Sequence, residues 1–205
     1  YVAKLMGLPI ATLSVATNEN DILARALATG RYEMSGVVPT TSPSMDIQIS
    51  SNFERLLFDV MGRDAVALRS MMANLQQSKS FTIPPDALQV MRRDFTALRA
   101  DRDAVDEEMK QTWQRAGYLL DPHTAIGVKA ARACLAHDRA TPVVALGTAH
   151  PAKFPDAVKA ATGIHPALPD HLADLMTRKE RVTVLPNDQT QIESFIAAHA
   201  RAGRG

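Results

Sequence analysis

Pro142-Val143-Val144-Ala145-Leu146-Gly147 runs straight into Thr148-Ala149-His150-Pro151-Ala152-Lys153-Phe154-Pro155-Asp156. An apolar run that stops at polar groups and restarts as a helix through a proline is how open α/β sheets present ligand-binding residues at the carboxyl ends of strands. The run from Pro142 to Leu146 reads as a strand, and Pro155 to Ala161 as a helix ended by Gly163. The polar loop between them is where chemistry is expected.

Working outward, the same strand-loop-helix grammar recurs near the start. Ile10 to Ala16 reads as a buried strand, with a helix after it for which Asn18 is a capping residue and Gly30 the terminator. Val37-Val38-Pro39 reads as a short edge strand, because proline cannot donate to an interior ladder. Ser51 and Glu54 have capping-box spacing, and Phe53, Leu56, Leu57, Val60 and Met61 recur at helical intervals. From about Asp64 to Gly117 the pattern is helical, interrupted at Phe81 to Pro85, with Leu88, Met91, Phe95 and Leu98 as one stripe and Val105, Met109, Thr112 and Trp113 as another. Ala125 to Leu135 reads as a helix, Pro169 to Thr177 as another, Val182 to Leu185 as a short strand and Gln191 to Ala200 as a last helix. Strands alternating with helices argue for an α/β fold with a mostly parallel sheet flanked by helices. The expected organisation is an α/β segment over 1–50, a helical excursion over 51–117 and a second α/β segment over 118–205.

At 205 residues and 46% hydrophobic content, the chain can bury one sizeable core. Lys plus Arg (23) nearly balances Asp plus Glu (22), so no long-range field draws it to nucleic acid or an anionic membrane. Small molecules and protein surfaces are the expected partners. The single cysteine, Cys134, excludes an internal disulfide framework and fits a reducing compartment, with the cytoplasm as the default. No apolar stretch approaches the roughly 18 to 20 residues of a membrane span. Tyr1 to Pro9 reads as the last turns of a helix with no capping residue before it, which suggests a chain cut from something longer.

Three polar loops, Thr40 to Asp46, Asp121 to Thr124 and Thr148 to Lys153, each precede a helix, so helix N-termini can converge there on an anion or a polar cofactor. Spacing alone favours ordinary capping over a ligand site. His150 before a proline fixes a turn as readily as it does acid-base work, Lys153 can snorkel from a helix start, and His123 is similar. The histidines lack metal spacing, so no metal is expected, and there is neither a glycine-rich phosphate loop nor a GxSxG elbow.

Taken together, Val15-Ala16-Thr17-Asn18-Glu19-Asn20-Asp21, Pro43-Ser44-Met45-Asp46-Ile47-Gln48, Ser51-Asn52-Phe53-Glu54-Arg55, Gly117-Tyr118-Leu119-Leu120-Asp121-Pro122-His123-Thr124-Ala125 and Gly147-Thr148-Ala149-His150-Pro151-Ala152-Lys153-Phe154 closely resemble, in this order, the threonine synthase family in its bacterial and fungal branch. The resemblance places the chain in the C-terminal portion of a fold-type II enzyme that uses pyridoxal 5'-phosphate. It implies a lyase that converts O-phospho-L-homoserine and water into L-threonine and phosphate in threonine biosynthesis.

It further implies that the Schiff-base lysine and the phosphate-cradling loop lie upstream, so this chain carries no catalytic lysine, is inactive alone and associates with the N-terminal part of the enzyme. Thr148 matches the threonine whose hydroxyl meets the pyridine nitrogen of the cofactor. A hydroxyl there tunes the ring as an electron sink without forcing its protonation. Ser44, Asn52 and Arg55 are candidates for the substrate phosphate, since an arginine fork matches phosphate oxygens. Asp46 is a candidate for orienting donors, and His123 and His150 for lining the pocket. Two alternatives stay open: another fold-type II lyase or deaminase, and a non-catalytic homologue acting as an interaction module.

Overall fold

The computed structural model describes residues 1–201. A short helix α1 (Val2–Leu5) leads into β1 (Leu13–Thr17), α2 (Ile22–Thr29) and β2 (Arg31–Glu33). Then come α3 (Phe53–Val60), α4 (Ala65–Ser78), β3 (Ser80–Thr82), α5 (Pro85–Asp94) and β4 (Phe95–Arg99). Two longer helices, α6 (Arg102–Ala116) and α7 (Pro122–His137), precede α8 (Pro155–Thr162). These elements lie in one compact unit, Tyr1–Ala167; from Leu168 onward a second unit carries two 3-10 turns and α9 (Gln189–His199).

The sheet is small. β1 and β4 pair in parallel with Leu13 opposite Phe95 and Thr17 opposite Arg99, while β2 and β3 pair antiparallel. The helical stripe read through Leu88, Met91, Phe95 and Leu98 therefore breaks in the middle. α5 stops at Asp94, and Phe95 turns extended. Arg92 donates to the carbonyls of Leu27 and Ala28 at 2.8 and 2.6 Å, tying the end of α5 to the last turn of α2. Beyond that point, pairing with β1 satisfies a backbone that a longer helix would leave beside an unpaired strand. The stretch from 51 to 117, expected as helical, thus supplies β3 and β4 as well as helices.

Other expectations are corrected too. Pro142 to Leu146 forms no strand; Val144 and Leu146 are 81% and 75% exposed. Its β-favouring residues meet no neighbouring strand among the described residues, and propensity alone does not make a ladder. Val37 to Pro39 and Val182 to Leu185 likewise carry no strand. Pro169 to Thr177 forms two 3-10 turns, Asp170–Leu172 and Leu175–Thr177, instead of a helix. Asp21, not Asn18, occupies the N-cap of α2, and the Ser51–Glu54 capping box does not form, since the N-cap of α3 is Asn52 with no side-chain bond.

Two apolar clusters hold the larger unit. In the first, Ile22, Ala26, Tyr32, Phe53, Leu57, Phe81 and Met91 join α2, α3, α5 and the β2–β3 ribbon, with the Tyr32 ring stacked on Phe53 and Phe81 at 5.4 and 4.9 Å. Gly30, at φ +77, ends α2 where an added Cβ would come within 2.9 Å of a Leu88 methyl, so both conformation and space call for glycine there. In the second cluster, Ala100, Val105, Met109, Leu120, Ala125, Ile126 and Val158 join α6, α7 and α8, and Ala16 of β1 packs against them. This second cluster is the platform on which the polar loops stand.

Candidate functional site

Two hydrogen-bond networks rest on that platform. The first gathers at the carboxyl end of β1. The Asn18 side-chain amide donates to Thr40 Oγ1, Ser42 Oγ and Asp46 Oδ1 at 2.7 to 2.9 Å, geometrically more acceptors than its two hydrogens can serve at once. Asn20 Nδ2 reaches Asp46 Oδ1 at 3.0 Å, and the Thr40 hydroxyl and backbone N–H donate to the two Asp46 oxygens at 2.6 and 2.8 Å. Asp46 is therefore the fastener of the loop from Val38 to Met45. A carboxylate this fully engaged by donors keeps the loop on the strand end, and its charge would repel an anionic substrate at close range.

The second network forms at the start of α7. Asp121 caps it, accepting from His123 N at 2.9 Å and from Thr124 N at 3.4 Å, with Pro122 at the first helical position, where its missing N–H costs nothing. The Asp121 carboxylate, 1% exposed, also meets His123 Nδ1 at 2.9 Å and receives the Thr124 hydroxyl. The Thr124 oxygen in turn accepts the backbone N–H of Thr148 at 3.2 Å. Through this link, the loop from Thr148 to Phe154 is attached to α7. The His123 ring lies 4.7 Å from the Phe154 ring, and its Nε2 is buried without a hydrogen-bond partner among the described residues.

Met45, in the loop that Asp46 holds, packs on the same cluster as Leu120 and Ala125, which bracket the Asp121 turn. Both networks thus stand on one core at the ends of β1 and α7. Thr148 is exposed, and its hydroxyl makes no hydrogen bond among the described residues. His150 is exposed and uses Nδ1 to accept from Ala152 N at 3.2 Å, capping the 3-10 turn Pro151–Lys153. Ser44 is exposed in the turn Pro43–Met45. Asn52 and Arg55 lie on the exposed start of α3, with Arg55 Nη1 donating to Asn52 Oδ1 at 2.8 Å, and neither bonds to the two networks.

The structure therefore joins His123 to the Thr148 loop and Asp46 to β1, carries Ser44 in the loop that Asp46 holds without a bond from its side chain, and leaves Asn52 and Arg55 apart from both networks. Asn18, Asn20, Asp121 and Thr124 organise these networks without being named as site residues, although the sequence offers Asn18 as a helix cap and Asp121 to Thr124 as one of the three polar loops. A half-open hollow of about 390 Å³, lined by Met34, Ile49, Glu54, Met72 and Leu75 among others, holds none of the candidate residues. No cluster of potential metal ligands occurs among the described residues, and no helix among them is long and apolar enough to cross a membrane.

Comparison with known proteins gives one consistent result. The family model described as threonine synthase, C-terminal, matches residues 124–196. Threonine synthase from Pseudomonas aeruginosa is 46% identical over 205 residues, which is 100% of this chain and 44% of that protein. A crystal structure of PLP-bound threonine synthase from Brucella melitensis superposes with a TM-score of 0.83 at 54% identity, covering 98% of this chain and 43% of that one. The yeast threonine synthase structure follows at 0.80 and 36%, over 96% and 43%. The chain spans a little under half the length of the relatives it matches.

Proposed function

The chain corresponds along its length to the C-terminal part of the threonine synthase family, and from that premise we propose that it supplies one wall of a pyridoxal-phosphate site in an enzyme that makes L-threonine and phosphate from O-phospho-L-homoserine and water. The proposal extends to a lyase of threonine biosynthesis in the cytoplasm, whose Schiff-base lysine and phosphate loop lie outside this chain. The N-terminal part of the enzyme is then its structural partner.

The residues present fit such a cofactor. The supporting observation is the contrast at Thr148: its backbone N–H is held by Thr124 at 3.2 Å while its hydroxyl has no partner among the described residues. Such a hydroxyl on a fixed backbone suits one directed hydrogen bond to a ring nitrogen, donated or accepted as the ring requires. When bound, pyridoxal phosphate supplies the electron sink for proton removal next to the amino group and for loss of phosphate. Thr148 would hold the ring nitrogen, Asp46 would keep the Thr40 loop closed against Asn18 at the strand end, and His123 and His150 would line the wall. Arg55 and Asn52, with Ser44, are assigned to the substrate phosphate; the Asn52 contact steadies the guanidinium and leaves further N–H groups for an anion.

The full-length gene product, loaded with pyridoxal phosphate, should release inorganic phosphate from O-phospho-L-homoserine in step with threonine formation. A full-length protein that binds the cofactor but deaminates threonine or serine without releasing phosphate from phosphohomoserine would replace this reading with that of a related deaminase.

A further inference from the structure

We infer that Thr124 is a positioning residue, whose hydroxyl fixes the direction of the Thr148 backbone and thereby aims the Thr148 side chain. The inference rests on the reading of Thr148 as a cofactor contact and deepens it. A threonine hydroxyl has one hydrogen and two acceptor lone pairs. Thr124 gives its hydrogen to Asp121 Oδ2, so the oxygen is left as an acceptor, and the Thr148 N–H, an obligate donor, meets it at 3.2 Å. The polarity of the chain is therefore set from the Asp121 end.

Asp121 is itself buried and held by several donors. It is 1% exposed, caps α7 and meets His123 Nδ1, so it transmits the position of a helix packed on the second core. Thr148, in contrast, follows a mostly exposed run that no strand holds among the described residues. Among the described residues the Thr148 backbone is held by this bond from Thr124, which spans 24 residues of sequence. Its loss frees the one residue whose hydroxyl has to meet a ring atom in a fixed direction. Displacements of about 1 Å at such contacts are enough to be felt strongly in function.

The test uses the full-length protein and begins without cofactor. In the wild type, amide hydrogen exchange should show Thr148 protected relative to Gly147 and Ala149; equal, fast exchange at all three overturns the inference even if no variant folds. Thr124→Val should remove that protection and weaken pyridoxal-phosphate binding, read by cofactor absorbance, roughly five- to tenfold, the worth of one modest hydrogen bond. Thr124→Ser should restore both. Thr148→Val reports on the underlying reading: unchanged cofactor affinity there removes Thr148 from the site. If Thr148→Val weakens binding and Thr124→Val does not, the site stands and the positioning role falls. In the double variant, the Thr124 change should add nothing to the loss from Thr148→Val, and full additivity also overturns the relay.

Discussion

Arg132 Nε on α7 lies 2.6 Å from the Glu108 carboxylate on α6, and Thr112 donates to the same Glu108 oxygen at 3.0 Å. The Glu108 side chain is 2% exposed while Arg132 is 43% exposed, so the acid is the buried partner and the arginine reaches it from the rim. Removing the arginine strands a buried charge, which costs more than the pair contributes. Arg132→Ala should destabilise the protein by about 2 kcal/mol, below the value for a fully buried pair because Arg132 is partly solvated. Glu108→Gln in the same background should recover part of that loss in urea unfolding. No change in the midpoint for Arg132→Ala would mean that the helix pair does not depend on the bridge.

The Asp46 hub predicts an asymmetric result. Asp46→Asn keeps the shape but places a side-chain amide among donors from Asn18, Asn20 and Thr40. The loss should be about 1.5 to 3 kcal/mol, the range for hydrogen bonds to a charged acceptor. Proteolysis between Val38 and Met45 should become faster, because the loop is released from β1. A variant with wild-type stability and the same cleavage pattern would show that the loop is held by other contacts.

Much of this architecture is legible in the sequence because it is local. The Gly30 and Gly163 terminators and the stripes of α3 and α6 follow from propensity and spacing. β4 is not legible, because Leu88, Met91, Phe95 and Leu98 keep helical spacing while the decisive partner, β1, lies some eighty residues earlier. The run from Pro142 to Leu146 errs in the opposite direction: it has strand composition, but a strand is a relation between two segments and none lies beside it among the described residues. The link from Thr124 to Thr148 is invisible for the same reason, since nothing in either loop announces the other. The apolar run before it and the family resemblance both point to the Thr148 loop; what holds it, the Thr124 hydroxyl, emerges only in the folded chain.

Tyr32 predicts a dependence on alkaline pH. Its ring is buried between Phe53 and Phe81, and its hydroxyl donates to the Gln48 carbonyl at 3.2 Å and accepts the Ser50 N–H at 2.9 Å. Burial pushes its pKa above the ordinary tyrosine value, with the Ser50 hydrogen bond opposing. In alkaline solution, the folded state thus retains a proton that the unfolded state has lost. Stability from this group is fully present below about pH 10 and falls as pH rises toward the folded pKa. Tyr1, raised by burial and by Asp59 and Asp94, acts in the same direction. Tyr32→Phe should cost about 1 to 2 kcal/mol at neutral pH through two lost hydrogen bonds. It should also flatten the decline above pH 10 relative to the wild type. An equally steep alkaline decline in both proteins would assign it to other groups.

Arg55 separates a binding role from a structural one. It is exposed, and its guanidinium meets Asn52, the N-cap of α3, a contact of the kind worth little to folding. Arg55→Ala should therefore leave stability within about 0.5 kcal/mol of the wild type. If the guanidinium meets the substrate phosphate, the same variant in the full-length enzyme should raise KM for O-phospho-L-homoserine roughly tenfold with kcat little changed, the signature of lost uniform binding. Arg55→Lys keeps the charge but loses the planar fork, so it should recover only part of the affinity. The loss should also shrink with added salt, because the contact stands at the surface where counterions compete. An Arg55→Ala enzyme with wild-type KM would assign the phosphate to other donors and leave Arg55 as a surface residue of α3.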